Sequence, residues 1–243
     1  MTSIHFFDHL IAALLMIVAP MYTLLRPRRT RSVTGMVFGP REKKMLYLSN
    51  SLLQWGIVAV VLVLWVLQGH PLRVMGLQLP NLEQWGAIVG VIVLFWGAYA
   101  WNTWHQTGTP EALRETRAQW RERTPFMPAN AWEFRWFVLM AFTAGVCEEI
   151  LFRGFLMTYL QALSYGSPKY QSMVVSAAVF AILHIYQGRL ASLKIFAFSL
   201  LFGALYILTN SILLSMLVHA LVDLISGWIG WKVILKEEPE RSS

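Results

Sequence analysis

Apolar residues run through this chain in stretches too long to be the buried faces of soluble helices. Seven can be drawn, at roughly 9–25, 46–67, 85–102, 134–163, 171–188, 191–208 and 211–233. Crossing a hydrocarbon core about 30 Å thick takes ~20 mostly apolar residues at about 1.5 Å each. The pattern predicts an all-α, polytopic integral membrane helical bundle of about seven transmembrane helices. No polar linker divides the spans, so one domain is expected. Within it, residues 1–133 hold the first three spans and the basic loops, and 134–243 form the core that carries the chemistry. No internal repeat is visible, which weakens a transporter built from two inverted halves.

The polar positions between the stretches set the orientation. Loop 26–45 carries Arg26, Arg28, Arg29, Arg31, Arg41, Lys43 and Lys44, and segment 103–135 carries Arg114, Arg117, Arg121, Arg123 and Arg135. The loops of the opposite side hold only Arg73 and Lys169. Basic loops stay in the cytoplasm. Both of these, and the tail KEEPERSS, are therefore expected there, with the N-terminus outside. An odd number of spans agrees. Asp8 and His9 precede the first stretch and arginines follow it, the reverse of a cleaved signal peptide, so it reads as a retained span. This suits a bacterial plasma (inner) membrane, although an endoplasmic-reticulum protein would look the same.

Composition agrees with the pattern. The 243 residues are 56% hydrophobic and 14% charged, with mean hydropathy +0.52, against about 25% charged in soluble domains. The +7 charge is explained by topology, and no nucleic-acid partner is expected. One cysteine, Cys147, excludes an intrachain disulfide framework or a cysteine zinc cluster. The charged stretch Glu111–Arg123 after Pro110 predicts a helix on the cytoplasmic membrane surface, or else a solvated connector. Trp132, Trp136, Trp228 and Trp231 fall where indole rings anchor spans at the interface.

The candidate chemistry is what breaks the apolar pattern. Glu148, Glu149 and Asp223 are the acidic residues inside the predicted spans, joined by His184, His219 and Arg153. Ionisable groups are costly at membrane depth and usually functional there. Residues four apart share a helix face, so Glu149 can pair with Arg153 in the favourable order. Glu148 points about 100° away and has no partner on its own helix, which suits general acid or base work. Phe180 and His184 share one face of the fifth span, and His219 and Asp223 one face of the last. At about 1.5 Å per residue, Glu148 and His219 lie about 18 Å from the cytoplasmic ends of their spans, and His184 only about 6–8 Å from the end of its own. Blander readings exist for each piece: a glutamate–arginine packing clamp, histidines that hydrogen-bond between helices or hold a haem, and Cys147 as a core residue rather than a nucleophile.

The ordered set EExxxR, FxxxH and HxxxD, here Glu148-Glu149 with Arg153, Phe180 with His184, and His219 with Asp223, resembles the CAAX protease and bacteriocin-processing family of intramembrane endopeptidases. That family includes the type II CAAX prenyl endopeptidases. The resemblance covers residues 134–233. It implies hydrolysis of a peptide bond at membrane depth in a membrane-associated peptide or protein substrate. It also implies Glu148 as general base helped by His184, with the His219–Asp223 motif stabilising the oxyanion. Some members carry asparagine where this chain has Asp223. Asp223 would then be protonated and still donate, or accept from His219 and orient its ring, or join Glu148, His184 and His219 around zinc, in which case one of the four cannot be a direct ligand. The second reading is preferred; no cofactor is favoured, and zinc is the metal these residue types would accept. Two other functions fit the same residues: a proton-coupled transporter and a non-catalytic membrane scaffold whose basic loops bind anionic lipid.

Overall fold

Helices account for nearly all of residues 4–25, 38–163 and 169–235, the part of the chain that the computed structural model describes. Among the described residues there are eight helices and no strand. Helix α1 (Phe6–Leu25) widens into a π-helical turn over Leu14–Val18. Pro20 follows, and its ring and missing N–H disturb the preceding turn. Helix α2 (Pro40–Leu67) and α3 (Trp85–Thr107) are long and apolar. Helix α4 (Pro110–Arg123) starts where predicted: Pro110 fixes the first turn and Thr109 caps it, accepting from Ala112 N at 3.2 Å. Helix α5 runs continuously over 131–163, as Ala131–Glu149, a π-helical segment Ile150–Leu156, and Met157–Leu163. Helices α6 (Lys169–Leu183), α7 (Arg189–Thr209) and α8 (Leu213–Ile234) complete the bundle.

Helices α1, α2, α3, α7 and α8 are long and apolar enough to cross a membrane. The fourth and fifth predicted spans correspond to α5, whose middle carries the charged residues, and α6, which has 15 residues. The fold is the all-α membrane bundle expected, and the count of seven spans is approximate.

Helix α5 is the hub. On one side Trp55 Nε1 of α2 donates to Thr143 Oγ1 at 3.2 Å. On the other, α8 comes so close that a Cβ on Gly145 would lie 2.6 Å from Ala220 N, and Gly227 receives the Phe137 ring. Small residues permit such contact in membranes, where packing rather than hydrophobic exclusion drives helix association. Hydroxyls join the remaining helices: Ser176 Oγ of α6 donates to Phe152 O in the π segment at 2.8 Å, and Ser215 Oγ of α8 to Phe202 O of α7 at 3.0 Å.

Three expectations change. The loop expected over 26–45 does not extend to Lys43. Instead α2 begins at Pro40, before its apolar run, and buries Lys43 against Glu133 at 2.8 Å, with a second bond to Met127 O at 2.9 Å. Helix α4 is no free connector: Arg117 Nε donates to Ile234 O at 2.6 Å, and Trp120 packs against the cluster of Tyr47, Met127 and Phe137. The fifth span was drawn to residue 188, but α6 stops at Leu183; a 3-10 turn, Ile185–Gln187, follows. Gly188 ends that turn at φ +104°, a conformation that side-chain-bearing residues rarely adopt, with the Arg123 guanidinium against it. Arg26, Arg28, Arg29, Arg31 and the tail 236–243 lie outside the described residues.

Candidate active site

The two neighbouring glutamates of α5 have opposite surroundings. Glu149 is fully buried, and its Oε1 accepts from Arg153 Nη1 at 2.8 Å. Arg153 is buried too; its Nη2 donates to Ser199 O at 3.1 Å and Ser199 Oγ at 2.7 Å, and the guanidinium lies between the rings of Phe180 and Phe202 at 5.0 and 5.2 Å. The predicted pair therefore forms, and it ties α5 to α7. Glu148 instead borders a cavity of about 780 Å³. His184, His219 and Asp223 line the same cavity, whereas Glu149 and Arg153 lie behind its wall. All six candidate residues thus gather at one place.

His219 Nδ1 bonds Glu149 Oε1 at 2.8 Å, so that carboxylate holds both Arg153 and the imidazole. A carboxylate beside an arginine accepts, so Nδ1 carries the hydrogen and Nε2 is turned to the cavity. There Nε2 lies 3.8 Å from Glu148 Oε2 and 3.8 Å from Asp223 Oδ2. This corrects the preferred reading of Asp223: the acceptor that orients His219 is Glu149, from another helix. Asp223 stands at the cavity-facing nitrogen, with 36% of its side chain exposed.

His184 follows the last residue of α6, with φ −96° and ψ 7°. Its Nδ1 lies 2.8 Å from Phe180 O. A carbonyl only accepts, so Nδ1 donates and caps the helix end, leaving Nε2 as an acceptor on the cavity side. The Phe180 ring separates the two histidines, 4.5 Å from His184 and 6.1 Å from His219 between centroids. The second motif thus combines a helix cap at His184 with a spacer at Phe180, the two rings in contact one turn apart.

Two polar groups escaped the sequence reading. Gln54 of α2 donates from Nε2 to Glu148 Oε1 at 3.4 Å, and Asn50, one turn earlier, lines the same cavity. Two amides four apart inside an apolar run were the available signal, overlooked because neither titrates. Ser199, which holds Arg153, is a hydroxyl in an apolar helix and carries no such signal. Cys147 is fully buried in the apolar cluster with Val58, Phe152 and Phe155, as a core residue would be.

The residues proposed for zinc do not fit an ion as they stand. Among the described residues, no three histidine, cysteine, aspartate or glutamate side chains converge as ligands.

Chemically, the cavity joins a carboxylate free of its own helix, an acceptor nitrogen, and an imidazole backed by a second carboxylate. That is the equipment of a hydrolase working by acid–base chemistry. Residues 130–225 match the family of type II CAAX prenyl endopeptidase Rce1-like proteins. The matched segment carries all six candidate residues, and it supports a CAAX-protease-like membrane endopeptidase of the CAAX protease and bacteriocin-processing family. The curated proteins contain no match to the chain, and neither do the solved structures.

Proposed function

We propose that the protein cleaves a peptide bond at membrane depth with water activated by Glu148, and that no resident metal takes part. The observation that carries this reading is the division between the glutamates: Glu148 borders the cavity, while Glu149 is spent on Arg153 and His219. Water between Glu148 and His184 Nε2 gives a proton to Glu148. Its oxygen adds to the substrate carbonyl carbon, the carbon–nitrogen bond then breaks, and Glu148 returns the proton to the leaving amine. His219 acts as an imidazolium whose Nε2–H donates to the developing oxyanion. Glu148, Glu149 and Asp223 set against Arg153 and that imidazolium leave one negative charge. A further proton shared by Glu148 and Asp223 cancels it, and a protonated Asp223 can also donate to the oxyanion.

The substrate class follows the family: a membrane-associated peptide or protein, with prenylated CAAX-type C-termini the first candidates given the family's description. We place the protein in a bacterial plasma membrane with its N-terminus outside. The arginines of α4, among them Arg123 at the cavity, support a cytoplasmic opening. The test is mass spectrometry of membrane peptides from cells carrying wild type or Glu148→Gln. Products present only with wild type are expected. Proton-coupled flux in liposomes without cleavage products would point to a transporter, and no difference in any assay to a scaffold.

A further inference from the structure

Gln54 belongs to α2, outside the segment that matches the family, yet it touches the proposed base. Its Nε2 donates to Glu148 Oε1 at 3.4 Å, at the long end of the range, as is common for catalytic contacts before substrate binds. Its own Oε1 is buried and has no hydrogen-bond partner among the described residues. Trp55, the next residue, is fixed to Thr143 of α5, so the register of α2 along α5 holds Gln54 beside Glu148. A stranded amide oxygen is costly in an apolar setting. A second partner would remove that cost and would also lock the amide in one orientation.

An ionised carboxylate only accepts, and so selects the NH₂ end of the amide. A protonated carboxyl group offers an O–H, which the carbonyl end can accept. Half a turn about the last side-chain torsion, which is roughly two-fold, exchanges the two ends. We propose that Gln54 is a positioning residue that holds Glu148 in both protonation states, its amide turning over as the base gains and loses its proton. The assignment rests on the hydrolytic reading above. Gln54 itself neither gains nor loses a proton; the proton travels from water to Glu148 to the leaving amine.

Infrared difference spectra of the purified protein, taken across a pH step, test this without a substrate. The bands lost in Glu148→Gln belong to Glu148. In Gln54→Met, of similar length and without an amide, both its carboxylate and its carboxylic-acid bands are expected to shift, the acid C=O to higher frequency as its hydrogen bond is lost. A shift in the carboxylate band alone would reduce Gln54 to a partner of the ionised form and overturn the two-state role, and unmoved bands would remove the contact. On the substrate found by mass spectrometry, kcat is expected to fall about 10- to 100-fold, less than the ~10²–10⁴-fold that a general acid or base itself contributes, with KM within about twofold. Should Gln54→Met fail to fold, Gln54→Asn, whose amide is drawn back by one methylene, is read the same way. Wild type that cleaves nothing overturns hydrolysis and this role together; cleavage with unchanged kcat and unmoved bands overturns Gln54 alone.

Discussion

Residues 4–123 and 131–235 use their buried positions differently. In the apolar windows of α1 and α3, 17% and 11% of positions are buried, against 39% in α8, so these two helices turn most of their surface outward. The second half buries Glu149, Arg153 and His219 in one connected network. The lesson is that the charged core was built into the closely packed helices, while α2 and α3 lend the cavity neutral groups. Gln54, Asn50, Tyr99 and Asn102 all reach the cavity from α2 and α3. Neutral amides and hydroxyls shape a site at lower cost than charges do in a helix that must also face lipid.

The largest effect should come from breaking the core network. Arg153→Met removes the guanidinium beside the buried Glu149 and three hydrogen bonds. A stability loss of about 3–5 kcal/mol is expected, read as a collapse in folded yield and in the unfolding temperature in detergent. The clamp between the two regions should matter next. Lys43→Met strands Glu133 at the end of α5, so thermal stability should drop while turnover per folded molecule stays the same. Adding Glu133→Leu should recover much of the loss, because the second buried charge goes too. A double variant as unstable as the single one would mean the pair is not what joins the regions.

That clamp also marks a limit of the sequence. Hydropathy starts the second span at residue 46, where the apolar run begins, and so puts Lys43 in a loop. The start of α2 was written instead in Gly39-Pro40, a cap followed by a first-turn proline. The i,i+4 rule recovered Glu149 with Arg153, because that pair lies within one helix. The same rule misassigned the partner of His219, because Asp223 is its neighbour along α8 whereas Glu149 reaches it from α5. Contacts between helices depend on packing, here the close crossing at Gly145 and Ala220, which helical periodicity does not encode. His184 read as a helix residue for a similar reason: periodicity cannot distinguish a last helical turn from the 3-10 turn that ends at Gly188.

Smaller effects sharpen the contrast within the core. Asp223→Asn should keep activity and extend it to higher pH. A carboxylic acid stops donating once its proton leaves, whereas an amide donates at any pH. A pH–rate profile with an unchanged alkaline limit would deny Asp223 the role of donor. Treating the purified protein with a chelator should change nothing, and activity lost to the chelator and restored by zinc would overturn the metal-free mechanism.

The division of labour between Glu148 and Glu149 is tested most directly by pairing turnover with thermal unfolding in Glu148→Gln. The account predicts an unfolding temperature close to that of wild type and a loss of turnover of at least about 10²–10⁴-fold, the contribution of a general base. A folded Glu148→Gln protein that still cleaves at the wild-type rate would contradict it.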